Sequence, residues 1–204
     1  MGVLADPHPS RRLRAALAAG TQPDPGTADA LIARCAVEPD FFVRDMLTWA
    51  LCRLPADVTV PLLIRELGSD LGQARSQALH TLSKVGDRRA WPAVSGLLHD
   101  DDDEVARAAW RAAVALVPPG DEAGLAGALA RALGRGDRDV QLSLSRALVA
   151  LGDAILPVLG EAATSTNPLV RAHAEATDRL HRDPDSGFTV SVAAAKRVAV
   201  GREA

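Results

Sequence analysis

A small apolar residue followed by arginine recurs along the chain at Val43-Arg44, Ala74-Arg75, Ala106-Arg107 and Val170-Arg171, with Val140-Gln141 filling the gap before the last. The second residue of each dipeptide, here called the anchor, repeats at intervals of 31, 32, 34 and 30. Seven positions past four of these anchors stand Leu51, Leu82, Val114 and Leu148, and ten past them stand Leu54, Val85, Val117 and Leu151. Such offsets put one apolar stripe on an α-helix. Self-similarity at this period predicts a stack of helical units rather than one irregular core.

Polar punctuation frames each stripe. Asp40, Asp103, Asp137 and Asn167 lie four before their anchors and Asp70 lies five before, where a short acceptor side chain caps the first N–H groups of a helix. Gly86-Asp87 and Gly152-Asp153 follow the stripe, and Pro55 and Pro118-Pro119 occupy the equivalent breaks. Pro61, Pro92 and Pro157 then fall in the first turn of a second helix, where a missing N–H costs nothing. Upstream, Ser10 to Ala19 and Thr27 to Val37 form a first pair around the breaker-rich Gly20 to Gly26. The expectation is a single domain over 1–204, with repeats at 9–38, 40–69, 70–100, 102–134, 137–164 and 167–202. In the last unit the stripe positions become Asp178 and His181, and a second helix would run from Gly187 to Val200. A polar terminal unit lets a stacked array end in water.

Composition agrees with helices. There are 39 Ala and 27 Leu against 18 Val and three Ile, and unbranched side chains lose little rotamer freedom in a helix, so an all-β fold is nearly excluded. With three Trp, three Phe and no Tyr, the helices must approach closely through Ala and Leu. The net charge of -3 supplies no global basic field for nucleic acid or anionic lipid. Of 23 basic residues 21 are Arg, the usage of a GC-rich genome. Cys35 and Cys52 have no metal-ligand spacing, and buried free thiols are expected. No stretch approaches the ~18 unbroken apolar residues of a membrane span, and Met1 to Arg12 has no apolar core, so a cytoplasmic protein is expected.

The anchor dipeptide, the Ala-Leu stripe, the Gly-Asp turn and the Leu62-Leu63 and Leu97-Leu98 helices resemble HEAT-like repeats of the phycobilisome-lyase type over residues 38–182. Phe41 to Leu54 and Gln77 to Trp91 are also similar to HEAT-repeat regions carried C-terminally by bacterial MerR-type regulators, whose DNA-binding head this chain has no room for. The resemblance implies an all-α, right-handed α-solenoid of about six helix pairs and a stand-alone module that binds a protein or peptide, with no cofactor. Fold likeness does not set function.

Candidate binding residues are Trp49, Arg53 and His80. Trp49 and His80 both stand five past their anchors, off the stripe on equivalent faces of adjacent helices, and a Trp beside an Arg is the composition of an interaction hot spot. The alternative is that packing between repeats covers the indole. Trp91 and Trp110 are expected to fill core. The arginine ladder Arg44, Arg75, Arg107 and Arg171 is assigned to structure, pairing with turn carboxylates such as Asp87 and Asp153, although such a ladder could also track a polyanion. The run Asp100 to Glu104 lacks the alternating ligands of a calcium loop and is expected to be a solvated, capping linker.

Enzymatic readings find no positive signal. Phe41-Phe42, Arg44, Trp49 and Leu51 resemble one helix of HEAT-like DNA alkylation repair proteins, so a nucleic-acid-binding solenoid stands as the second hypothesis. No Trp precedes Trp49, however, so the upstream Asp beside Trp that such glycosylases need has no counterpart. Deoxyhypusine hydroxylase, another enzymatic family with such repeats, binds irons through His-Glu dipeptides, and here none of His8, His80, His99, His173 and His181 is followed by Glu. No metal site and no catalytic residue is therefore expected.

Overall fold

The computed structural model describes residues 2–185, and among these it has eleven α-helices and no strand. The chain forms two compact units, Met1–Leu116 and Val117–Ala204.

In the first unit α1 (Pro9–Thr21), α3 (Phe41–Cys52), α5 (Gly72–Val85) and α7 (Asp103–Leu116) are the leading helices of successive pairs, and each packs on the next. The trailing helices α2 (Ala28–Val37), α4 (Ala56–Glu66) and α6 (Trp91–Ser95) form the other layer. This is the two-layer stacking of an α-solenoid. The predicted stripe is buried at Leu51, Leu54 and Leu82, with Val43, Leu47, Ala74 and Leu79 beside it. In α7 the buried face shifts by about one residue, to Ala106, Ala109, Trp110, Ala113 and Leu116, and Val114 is only half-buried. Trp110 is 0% exposed, and its Nε1–H donates to the Leu98 carbonyl at 2.9 Å, so the indole fills core without leaving its polar atom unpaired. Trp91 is half-buried at the start of α6.

Stacking is uneven. The start of α5 is tied to the end of α2, because Gln73 Nε2 donates to the carbonyls of Cys35 and Glu38 at 3.0 and 2.9 Å. As a result α5 packs closely on α2 and α7 but meets α3 less extensively.

Helix starts follow the expected chemistry with two shifts. Asp40, Asp137 and Asn167 accept hydrogen bonds from first-turn N–H groups. At α7 the capping carboxylate is Asp102, not Asp103, since its Oδ1 takes the Glu104 N–H at 2.9 Å. At α5 Asp70 does not cap; Ser69 Oγ accepts the Leu71 N–H instead. Gly86 ends α5 in the left-handed conformation at φ 71°, which a side chain would resist.

The arginine ladder pairs differently from expectation. Arg44 and Arg75 each send NH1 to the carbonyl six residues back, Glu38 at 2.8 Å and Ser69 at 2.9 Å, and Arg171 does the same to Ser165. Gln141 reaches the Gly136 carbonyl, whereas Arg107 bonds Glu104 at 2.7 Å. None of these anchors binds Asp87 or Asp153. Asp87 pairs with Arg89 and Asp153 with His181. The reason is axial distance: a residue twelve past the anchor lies ~18 Å along the helix, while the linker carbonyls surround its first turn. Arg12 shows the same contact, with NH1 on the Asp6 carbonyl at 2.8 Å, and stands 32 residues before Arg44. It is a further anchor, hidden in the sequence because Arg11 rather than a small apolar residue precedes it.

In the second unit α8 (Glu122–Ala130) packs on α9 (Arg138–Val149) and α10 (Leu156–Ala162), and α11 (Pro168–Arg182) packs on α9 and α10. A buried polar chain crosses the α9–α11 seam. The Gly134 N–H donates to His173 Nδ1 at 2.9 Å, which places the ring proton on Nε2. Nε2–H then faces the Gln141 carbonyl and Ser145 Oγ, both at 3.0 Å. Thr177 donates to the His173 carbonyl, so Ser145 donates to Thr177 at 2.7 Å. The predicted helix from Gly187 to Val200 lies outside the described residues.

Candidate functional site

The loose α3–α5 seam opens a groove of about 390 Å³ across the leading helices α3, α5 and α7. Helical spacing arranges its lining in levels. Phe41 and Glu104, three before their anchors, stand at one end. Arg44, Asp45, Ser76, Gln77 and Ala108 form the middle. Thr48 and Arg111, four past their anchors, and His80, five past, form the other end. Phe41 is 64% exposed and meets Phe42 edge-on with ring centroids 5.7 Å apart, an apolar pair held out to solvent.

Electrostatics differ between the two ends. Glu104 is engaged by Arg107. Burial first, and then the charges of Lys84 and Arg111, push the His80 imidazole below its ordinary value, with Asp45 pulling the other way. Burial and the neighbouring Arg107 charge likewise lower Arg111, opposed by Glu104. Thr48 is 4% exposed, and its Oγ1 is buried without a hydrogen-bond partner.

Of the three candidate binding residues named from sequence, only His80 lines this groove, together with Arg44 of the ladder. Trp49 leans the other way, toward α1, and its six-membered ring lies where a Cβ of Gly20 would stand. It retains 38% exposure, so packing covers much of the indole but not all. Arg53 is exposed at the C-terminal end of α3. Thr48 and Arg111 were missed, although both sit four past an anchor, one position from the offset that picked out Trp49 and His80. Cys35 is buried as expected, but Cys52 is exposed, because it falls past the buried Leu51 on the outer side of α3.

Among the described residues no group of three or more His, Cys, Asp and Glu is placed to hold a metal ion. No helix among them is long and apolar enough to cross a membrane.

Comparison with known proteins bears on the same helices. Residues 43–116 match the family of HEAT repeats. Over that stretch the chain is similar to HEAT repeats. The matched span runs from α3 through α7 and so contains most of the groove. Two crystal structures of engineered proteins from the Northeast Structural Genomics Consortium are similar to the chain. One is 19% identical, covering 91% of this chain and 97% of its own, with a TM-score of 0.47. The other is 22% identical, covering 85% and 91%, with a TM-score of 0.45. No curated protein matches.

Proposed function

We propose that this HEAT-like protein is a non-enzymatic, cytoplasmic interaction module, a right-handed scaffold that presents the α3–α5–α7 face to a protein or peptide. The observation that carries the reading is the groove itself, which spans three successive leading helices and mixes an exposed Phe41 with the polar Thr48, His80 and Arg111. Apolar anchors beside polar groups are how a helical surface holds an extended segment. Trp49 and Arg53 form a second proposed contact patch on α3, apart from the groove, with Trp49 on the side that faces α1.

A nucleic-acid role draws less support, because the ladder arginines Arg44, Arg75 and Arg171 spend donors on linker carbonyls instead of holding them toward a polyanion. The test is capture of partners on the tagged protein from host lysate, with and without nuclease. The reading expects a defined protein in both arms, and its loss from the Phe41→Ser/His80→Ala protein and from the Trp49→Ala/Arg53→Ala protein. Retention only without nuclease overturns it.

A further inference from the structure

Threonines inside these helices ordinarily turn the hydroxyl back onto the carbonyl four residues earlier. Thr81 does so to Gln77 at 2.9 Å, Thr177 to His173 at 2.9 Å and Thr59 to Pro55 at 3.4 Å. Thr48, equally buried, makes no such bond, although leaving a buried hydroxyl unpaired is destabilising. The hydroxyl therefore stands as an unused donor in the groove lining. Arg111 lies exposed on α7, and among the described residues no hydrogen bond or ion pair engages its guanidinium. His80 completes that level of the groove, and the Lys84 charge acts on it from one turn further along α5. Of the two carboxylates in the lining, Glu104 is already bound by Arg107, which leaves Asp45 as the one opposing charge. Donors and positive charge thus exceed acceptors at this end.

We infer that Thr48, His80 and Arg111 form a subsite for the carboxylate of an acidic side chain on an extended segment of a partner protein. This rests on the interaction reading above and names the chemistry the groove would recognise. A carboxylate offers acceptors to the Thr48 hydroxyl, the His80 ring N–H and the Arg111 fork together. A segment, rather than a small free anion, matches the shape. The groove continues over two further levels of the helices to Phe41, whose exposed ring supplies apolar contact that a lone anion cannot use.

The experiment uses the full chain with fluorescein-labelled octaglutamate and octaglutamine peptides, read by anisotropy, and with inorganic phosphate as competitor. Octaglutamate is expected to bind at least tenfold tighter than octaglutamine, and to lose affinity as salt rises. Thr48→Val removes the unpaired hydroxyl at nearly constant shape. It is expected to raise Tm while weakening octaglutamate several-fold, a combination that a purely structural threonine would not give. Arg111→Gln is expected to weaken octaglutamate about tenfold and to leave octaglutamine unchanged. Equal affinities for the two peptides overturn the inference, as does octaglutamate binding indifferent to both variants. Phosphate that occupies the site as tightly as the peptide also overturns it, in favour of a small anion. Equal peptide affinities alongside a captured partner that depends on Phe41 and His80 would sink the carboxylate subsite and leave the interaction module standing.

Discussion

Arg12 and Glu38 face each other through two parallel hydrogen bonds of 2.7 Å, Nε to Oε2 and NH2 to Oε1, with both side chains almost wholly buried. The same guanidinium holds the carbonyls of Asp6 and Pro7 through NH1. One side chain thus ties the linker before its own helix to the linker after the next. Arg75 repeats the arrangement, with NH1 on Ser69 and a bidentate pair of 3.1 Å bonds to Asp100. Asp100, read from sequence as part of a solvated acidic run, is a register clamp.

Breaking the first clamp should be expensive. Arg12→Ala leaves Glu38 buried with only Arg34 and the Asp40 N–H as partners, and is expected to cost about 3 kcal/mol in urea unfolding. Arg75→Ala, whose pair is less buried, should cost about 1 kcal/mol. A double-mutant cycle of Arg12→Ala with Glu38→Gln should show clear coupling; additive losses would refute the clamp.

Acid should weaken the fold in two steps. Burial pushes the His173 imidazole down to about 4, only partly offset by its bond to the Gln141 carbonyl, while the unfolded chain protonates near 6.5. Between those values the unfolded state binds more protons, so stability is full above 6.5 and falls as pH drops, by about 3 kcal/mol at pH 4. Burial alone would raise Glu38, but hydrogen bonds from Arg12, Arg34 and the Asp40 N–H outweigh it and bring it to about 2 from 4.5. Its stabilisation is present above 4.5 and lost toward 2. Urea unfolding across pH 7 to 4 should decline steadily, and His173→Gln should flatten that limb. An unchanged slope in the variant would place the effect elsewhere.

Gly20 and Trp49 make a further test. A methyl at Gly20 would overlap the indole's six-membered ring. Helix propensity favours alanine by about 1 kcal/mol, but displacing the ring should outweigh it, for a net loss of about 1 kcal/mol. Gly20→Ala is therefore expected to lower Tm and shift tryptophan emission to the red. A stabilised variant with unshifted emission would show that the seam has room.

The two thiols should react unequally. Burial pushes Cys35 up to about 12, so it stays protonated and enclosed. Cys52 is exposed, and its pKa, raised by partial burial, is countered by Lys84. A thiol reagent should modify one cysteine in the native protein and both in denaturant. Cys52→Ser should abolish the native reaction, which Cys35→Ser should leave intact.

The alternation of stripe, cap and breaker was enough to place helices, since each of those signals acts within a few residues: Leu51 and Leu82 are buried, Asp40 and Asn167 cap, and Gly86 terminates α5. The same local logic placed Trp49 and His80 in their helices and on off-stripe faces. It could not say that Trp49 leans on Gly20 or that His80 shares a groove with Thr48 and Arg111. Nor could it find Glu38, which reads as an ordinary linker carboxylate until Arg12, 26 residues earlier, is brought beside it. Periodicity therefore determined the all-α repeat and several of its helix ends, because backbone propensity and capping depend on near neighbours along the chain. It misplaced the caps of α5 and α7, however, and put Pro61, which lies inside α4, in a first turn. The groove and the clamps were decided only in three dimensions. They depend on how far apart α3 and α5 are held by contacts such as Gln73 on the end of α2, and on which buried donors are left over once stacking has used the rest.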